Sequence, residues 1–249
     1  VNLNIKLEER WYFWPAPIFE HADRNLSSWI KSGDLSKINY GLFFTQINFR
    51  GRKEKLQFKI RLGYKEQYSL FYEIPYLNKK QKSGLKFRLN YFQQHEIAYK
   101  TKNNRLMFYK SPDRYVRAYT SSNLHYLLRP ELYREHDFSI GLLNVNVVDT
   151  ITILNPDYLG KAKKQLTLAT AEYMFTVDLR DNKAYPLTGK FFQLKLKKTG
   201  FGLFSDDHPD YFSASCNYYN FLDIGSSFYY ANIINAKKTG TSREPYYLQ

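Results

Sequence analysis

The chain has 249 residues, 37 Lys and Arg against 23 Asp and Glu, and a formal net charge of +14, so anionic partners such as lipid head groups and nucleic acid are expected. Aromatic residues make up 18% of the sequence, which excludes a disordered chain, and a single cysteine, Cys216, excludes a disulfide framework. No apolar run approaches the roughly 18 residues of a membrane-spanning helix.

The N-terminal region is predicted to form two extended segments and one short helix. Residues 1–10 alternate as a strand and lack the basic and apolar regions of a signal peptide, so we expect any leader to be absent or removed. Residues 11–21 follow as an extended segment that contains Pro15 and Pro17. A single helix is predicted near residues 22–31, where Asp23 or Asn25 could cap a turn.

Most of the remaining chain alternates with the two-residue period of β-strands. In residues 56–65 the apolar side chains include Phe58 and Ile60, whereas Lys59 and Arg61 lie on the other face. The same alternation occurs in residues 85–91, 169–179 and 192–197, and further strands are predicted at residues 38–49, 68–74, 96–99, 106–110, 115–128, 137–148, 211–220 and 226–236. About twelve strands in a single all-β unit are therefore predicted.

The connections fall into two classes. Tight polar turns are predicted at residues 50–54, 78–83 and 101–104, and longer loops at residues 129–136, 154–164 and 205–210. Short turns at one end and long loops at the other are typical of membrane barrels.

Charged and aromatic residues also favour a membrane barrel over a soluble sandwich or barrel. Six cations share the polar face of their strands: Lys59, Arg61, Lys86, Arg88, Lys195 and Lys197. Aromatic residues crowd strand ends at residues 11–14, at Tyr72 with Tyr76, and at Tyr229 with Tyr230, as in the aromatic girdles of barrels. The alternatives are an aromatic-rich soluble core, a carbohydrate platform and a nucleic-acid-binding sheet.

No group of residues matches a catalytic pattern, so we expect a protein that is not an enzyme, with no catalytic residue, cofactor or metal. The five histidines lack zinc-site spacing, and residues 206–210 are the one dense cluster of possible cation ligands. Cys216 has no histidine nearby in sequence and is interpreted as a small packed residue. Asp178, Arg180 and Asp181 are interpreted as a structural ion-pair group rather than an acid/base set.

Four segments resemble the BamA/TamA superfamily of outer-membrane assembly barrels, also called bacterial surface antigens, especially its Bacteroidota forms. Residues 1–10 resemble the last strand of a periplasmic POTRA domain, and residues 48–52 resemble an early periplasmic hairpin. Residues 72–77 resemble a Pro-Tyr strand end, and residues 178–189 are similar to a D-x-R-D…P-x-x-G strand-turn-strand motif. The matching positions are Asn48, Gly51, Pro75, Tyr76, Asp178, Arg180, Asp181, Pro186 and Gly189.

The resemblance implies an antiparallel transmembrane β-barrel in the outer membrane of a Gram-negative bacterium. Residues 1–10 would be a POTRA-like strand and residues 11–249 the barrel, with about twelve of an expected sixteen strands. The sixth-loop Arg-Gly-Phe/Tyr motif, expected shortly after residues 244–249, does not occur. We therefore expect the sequence to be part of a longer protein; the alternative is a shortened relative of the family.

The resemblance also implies insertion or export of outer-membrane proteins by lateral opening and strand templating, without covalent chemistry. The candidate gate strand comprises Trp14, Pro15, Pro17, Ile18 and Phe19, because proline favours edge strands; alternatively, the prolines shape the passage into the barrel. Expected partners are unfolded outer-membrane protein clients, lipid and lipopolysaccharide, and periplasmic or lipoprotein accessory subunits, with no nucleic acid. The alternative function is a passive pore or structural barrel subunit.

Overall fold

The computed structural model describes residues 6, 8–21, 30, 37–202, 209–240 and 245–248. Antiparallel β-strands dominate the described chain and helix is confined to short segments, which confirms the predicted all-β antiparallel class. The strands are β1 (Phe13–His21), β2 (Ile38–Phe49), β3 (Glu54–Gly63), β4 (Lys65–Ile74), β5 (Ser83–Gln94), β6 (Glu96–Lys102), β7 (Arg105–Lys110), β8 (Arg117–Glu131), β9 (Arg134–Val147), β10 (Gln165–Asp178), β11 (Gly189–Thr199), β12 (Tyr211–Gly225) and β13 (Phe228–Thr239).

Eleven strands form one sheet in the order β1-β2-β3-β4-β5-β8-β9-β10-β11-β12-β13, and β6 pairs with β7 in a separate hairpin. About twelve barrel strands were expected, and the main sheet of the described residues contains eleven. Residues 96–102 and 105–110 pair with each other instead of extending that sheet. Within the described residues no pairing joins β1 to β13, so each is an edge strand.

The two faces of the sheet differ in chemistry and in exposure. On the apolar face Phe58 is opposite Leu70, and Leu70 is opposite Leu89; Phe58 is 45% exposed. On the polar face the side chain of Arg61 is only 14% exposed, although arginine usually lies in water. The sheet therefore curls around its polar face. The register places all six cations predicted for the polar face on that face.

The connections define a turn end and a loop end. The turn end carries residues 50–53, 75–82, 132–133, 179–188 and 226–227; the loop end carries residues 64, 95–116 and 148–164, and β1 and β11 also end there at His21 and Thr199. Two expectations were wrong. Residues 129–136 make a tight turn because β8 and β9 extend to Glu131 and Arg134, and the turn at residues 101–104 lies on the β6–β7 hairpin at the loop end. The three predicted aromatic clusters all lie at the turn end.

An apolar core closes the polar face at the loop end. Here β9 and β10 direct Val145, Leu166 and Leu168 onto the otherwise polar face, where they are at most 2% exposed. They pack against the short helix α1 (Asp149–Leu154), Tyr158 and the C-terminal residues 246–248. No helix among the described residues is long and apolar enough to cross a membrane.

The remaining parts of the N-terminal prediction cannot be placed. Residues 1–5 and 7, most of the POTRA-like strand, and residues 22–29 and 31, the predicted helix, lie outside the described residues. The division into a POTRA-like strand and a barrel stays a prediction.

Candidate functional site

The free edge of β1 is the first candidate site, and its backbone direction follows from one hydrogen bond. The amide of Ile47 donates to the carbonyl of Tyr12 at 2.8 Å, so Tyr12 directs its backbone groups toward β2. Because successive residues of a strand direct these groups to opposite sides, the outward positions in β1 are Phe13, Pro15, Pro17, Phe19 and His21. Two of these five positions lack an N–H, so proline interrupts the donor row of the free edge.

All five residues of the candidate gate strand lie in this edge strand. Trp14 and Ile18 are on the polar face, and Pro15, Pro17 and Phe19 are on the apolar face, opposite Phe44, Leu42 and Tyr40. Trp14 is 52% and Phe19 72% exposed, so large apolar side chains surround an edge that no described strand covers.

The other edge, β13, has an uninterrupted donor row. The amide of Gly240 donates to the carbonyl of Phe212 at 2.8 Å, so even-numbered residues of β13 face β12. The outward positions are therefore Tyr229, Ala231, Ile233, Asn235, Lys237 and Thr239, none of which is proline. The two edges of the sheet thus differ in their capacity to donate to an added strand.

The polar face carries several ion pairs. Glu172 accepts from Lys195 at 2.9 Å, and Glu20 accepts from Arg61 at 3.2 Å. The guanidinium of Arg88 lies 4.9 Å from the ring centre of Phe71. These contacts partly neutralise the positive charge of the polar face.

At the turn end, Asn48 and Gly51 shape the β2–β3 turn. Asn48 has a φ of 55° and accepts from the amide of Lys53 at 2.9 Å through Oδ1, and Gly51 has a φ of 71°. Within this turn Arg50 donates to both carboxylate oxygens of Glu54, at 2.8 and 2.9 Å, which raises the pKa of Arg50. The turn is therefore held by a bidentate ion pair.

Pro75 and Tyr76 begin the neighbouring β4–β5 turn. Pro75 directly follows the end of β4. Proline has no backbone N–H, and at this position the hydrogen-bond ladder of the strand has already ended. A Cβ on Gly84 would lie 2.8 Å from the carbonyl oxygen of Pro75, so only glycine fits beside this strand end. The Leu77 amide donates to the Ser83 carbonyl at 2.8 Å and closes the turn.

The last motif shapes the β10–β11 turn. Arg180 donates to Asp178 through Nε and Nη2 at 2.8 and 2.9 Å, which raises the pKa of Arg180, and stacks 4.7 Å from the ring centre of Phe191. Asp181 accepts from the amides of Leu187 and Thr188 at 3.1 and 3.3 Å.

The other two residues of that motif lie inside the turn and at its end. Pro186 lies inside the turn rather than at the end of a strand, because β10 already ends at Asp178. Gly189 starts β11 with a φ of 102°, and a Cβ there would lie 2.2 Å from the carbonyl oxygen of Leu179. The turn spans residues 179–188, so Gly189 permits a close backbone approach at the mouth of a wide turn.

The loop-end core was not predicted from the sequence. Arg117 on the polar face donates to the hydroxyl of Tyr158 at 3.0 Å and lies 5.3 Å from the ring centre of Tyr247. A signal was present, because the polar positions of β9 and β10 become apolar at Val145 and Leu166. That change of pattern indicates a second layer over the polar face.

The described residues contain no group of three or more His, Cys, Asp or Glu that could hold a metal ion. Residues 206–208 of the possible cation cluster lie outside this set. Cys216 lies on the apolar face between Leu194 and Ala236, in agreement with a packed residue.

No family model matches the sequence, and no curated protein matches it. Among solved structures, the chain is similar to BamA from Haemophilus ducreyi lacking POTRA domains 1–3, with a TM-score of 0.56 and 12% identity. The match covers 97% of this chain and 44% of that chain, so this chain spans less than half of the Haemophilus structure. At this identity the likeness is one of fold, and the fold is that of a BamA-like barrel.

Proposed function

We propose that the chain forms part of an outer-membrane β-barrel that inserts or exports outer-membrane proteins by adding a client strand to the free edge of β1. The process needs no covalent chemistry, cofactor or metal. The turn end faces the periplasm and the loop end faces outward, as short turns and long loops do in such barrels. The partners are unfolded client strands, lipid and lipopolysaccharide, and periplasmic or lipoprotein accessory subunits.

The proline-interrupted edge of β1 carries this proposal. All five outward positions keep a carbonyl acceptor, whereas Pro15 and Pro17 provide no donor. An added strand would form hydrogen bonds to the carbonyls but would miss two in return. Since each such bond contributes about 0.5–1.5 kcal/mol, the pairing is weakened by about 1–3 kcal/mol. A client strand therefore pairs with β1 in register and then dissociates from it.

The test restores the missing donors. In the double variant Pro15→Val/Pro17→Val the new N–H groups face away from β2, so the barrel keeps its own ladder. We expect client strands to remain bound about 5- to 100-fold longer, in line with two added hydrogen bonds. The measurement uses proteoliposomes that contain the full polypeptide and a client barrel whose gel mobility changes on heating once it has folded. The number of client molecules folded per barrel should fall, while binding of the first client molecule persists.

Ala16→Val is the matched control, because the backbone of Ala16 faces β2 and the outer edge is unchanged. This variant should assemble clients at the wild-type rate. Unchanged turnover in the double proline variant, with a normally folded barrel, would contradict templating at β1 and leave the prolines as a shape feature of the chain's path into the barrel.

A passive pore is the second candidate, favoured by the continuous polar face with its ion pairs. The loop-end core over that face argues for a closed path. Planar-bilayer recordings separate the two functions: steady conductance of the wild-type protein, without client-folding activity, would support the pore and exclude assembly.

A further inference from the structure

Two adjacent turns at the turn end carry a surplus of positive charge. Besides Arg50, which pairs with Glu54, the β2–β3 and β4–β5 turns contribute five exposed cations, here called the basic rim: Arg52, Lys53, Lys79, Lys80 and Lys82. None of the five forms an ion pair with a described residue. The nearest carboxylates are engaged elsewhere, since Glu54 binds Arg50 and Glu73 lies 3.5 Å from Lys86.

Three cations of the basic rim line a cleft of about 460 Å³ between the two turns. One side is lined by Arg52 and Lys53, and the other by Lys79 with Tyr76 and Leu77. No acidic side chain lines the cleft. A small anionic group with apolar material attached to it matches both the charge and the mixed lining.

The position of the cleft identifies the attached apolar material. The cleft lies directly beyond the strand ends whose apolar face carries Leu56, Leu70 and Tyr72. An acyl chain that lies along this face brings its head group to the height of the basic rim, as basic side chains do at membrane interfaces.

The opposite part of the turn end has no such surplus. In the β10–β11 turn Arg180 is paired with Asp178, and Lys183 lies 4.0 Å from the same carboxylate. The basic rim is therefore a local feature of the β2–β5 side rather than a property of every turn.

We propose that the basic rim binds the phosphate head group of an anionic phospholipid in the leaflet at the turn end, a site that rests on the proposed membrane barrel. The continuity of the cleft with the apolar face favours a lipid over an acidic polypeptide, which would need no acyl surface. Lipid bound there holds the β2–β5 side of the barrel against the leaflet.

The test uses the full polypeptide folded in a zwitterionic detergent and titrated with phosphatidylglycerol or phosphatidylcholine, with bound lipid counted by native mass spectrometry. The variant Arg52→Gln/Lys53→Gln/Lys79→Gln should bind phosphatidylglycerol at least about tenfold more weakly, because each basic residue contributes about fivefold near an anionic lipid. The wild type should prefer phosphatidylglycerol, and this preference should decline as salt is raised.

The control Lys100→Gln/Lys102→Gln/Arg105→Gln removes the same charge from the β6–β7 hairpin at the opposite end. It should bind phosphatidylglycerol as the wild type does. Equal losses in both triple variants, or equal binding of the two lipids, would overturn the proposal. Complete displacement of phosphatidylglycerol by a deca-glutamate peptide would overturn it in favour of an acidic polypeptide site.

Failure of the barrel itself gives a different result. A polypeptide without heat-modifiable mobility in the detergent would remove both this site and the proposed function. A folded barrel that assembles clients but shows no lipid preference would remove the lipid site alone.

Discussion

Gly51 and Gly189 both have left-handed backbones, but they differ in the space around them. A Cβ on Gly51 would have nothing within 4 Å, whereas on Gly189 it would lie 2.2 Å from the carbonyl oxygen of Leu179. Gly51→Ala should therefore lower the free energy of unfolding by about 1 kcal/mol and Gly189→Ala by at least about 2–3 kcal/mol. Urea titration of the folded protein in detergent measures both, and equal losses would contradict the close approach at Gly189.

Substitution of Arg180 separates the contribution of ion-pair geometry to stability from the contribution of charge. Lysine at this position keeps the charge but loses the two-pronged contact with Asp178 and the stacking on Phe191, so Arg180→Lys should lower the free energy of unfolding by about 1–2 kcal/mol. Lys183→Gln is the control, because its 82% exposed side chain should change stability by less than about 0.5 kcal/mol. A neutral Arg180→Lys in the same titration would show that charge alone holds the turn.

The strands could be predicted from the sequence because their side chains alternate between apolar and polar. Two-residue alternation on a sheet with one exposed apolar face leaves a strong periodic signal, as in β3 and β10. The donor row at Pro15 and Pro17 could not be derived, because it depends on which side of β1 the chain pairs with β2. The packing of residues 246–248 on Tyr158 joins segments far apart in sequence and leaves no local pattern.

The loop-end core gives a prediction for β9 and β10. Leu168 is 2% exposed within the core, whereas Leu142 on the apolar face is 50% exposed. Leu168→Ala should lower the free energy of unfolding in detergent by about 2–4 kcal/mol and expose the loop end to protease, because it leaves a cavity. Leu142→Ala should lower it by less than about 1 kcal/mol. Equal losses would show that the core does not stabilise the barrel.

For the whole molecule, the assignment of faces predicts how the barrel enters a bilayer. Ile140 is 62% exposed on the apolar face, and its neighbour Ser139 lies on the polar face opposite Glu172. Ile140→Lys should destabilise the inserted state by about 2–4 kcal/mol. Ser139→Lys should insert normally, because the new lysine lies on the polar face beside the carboxylate of Glu172. The folded fraction in phosphatidylcholine vesicles, read from heat-modifiable mobility, checks both; equal insertion would contradict a lipid-facing apolar face.

The two edges of the sheet also matter during synthesis, when the protein is incomplete. Apart from the β6–β7 hairpin, each strand pairs with the one made before it, so the growing edge is covered as soon as the next strand arrives. The outer edge of β1 stays unpaired while the later strands are made, and an unpaired strand edge promotes pairing with other chains. Its two prolines weaken that pairing, so the first-made strand of the described sheet resists aggregation with neighbouring chains.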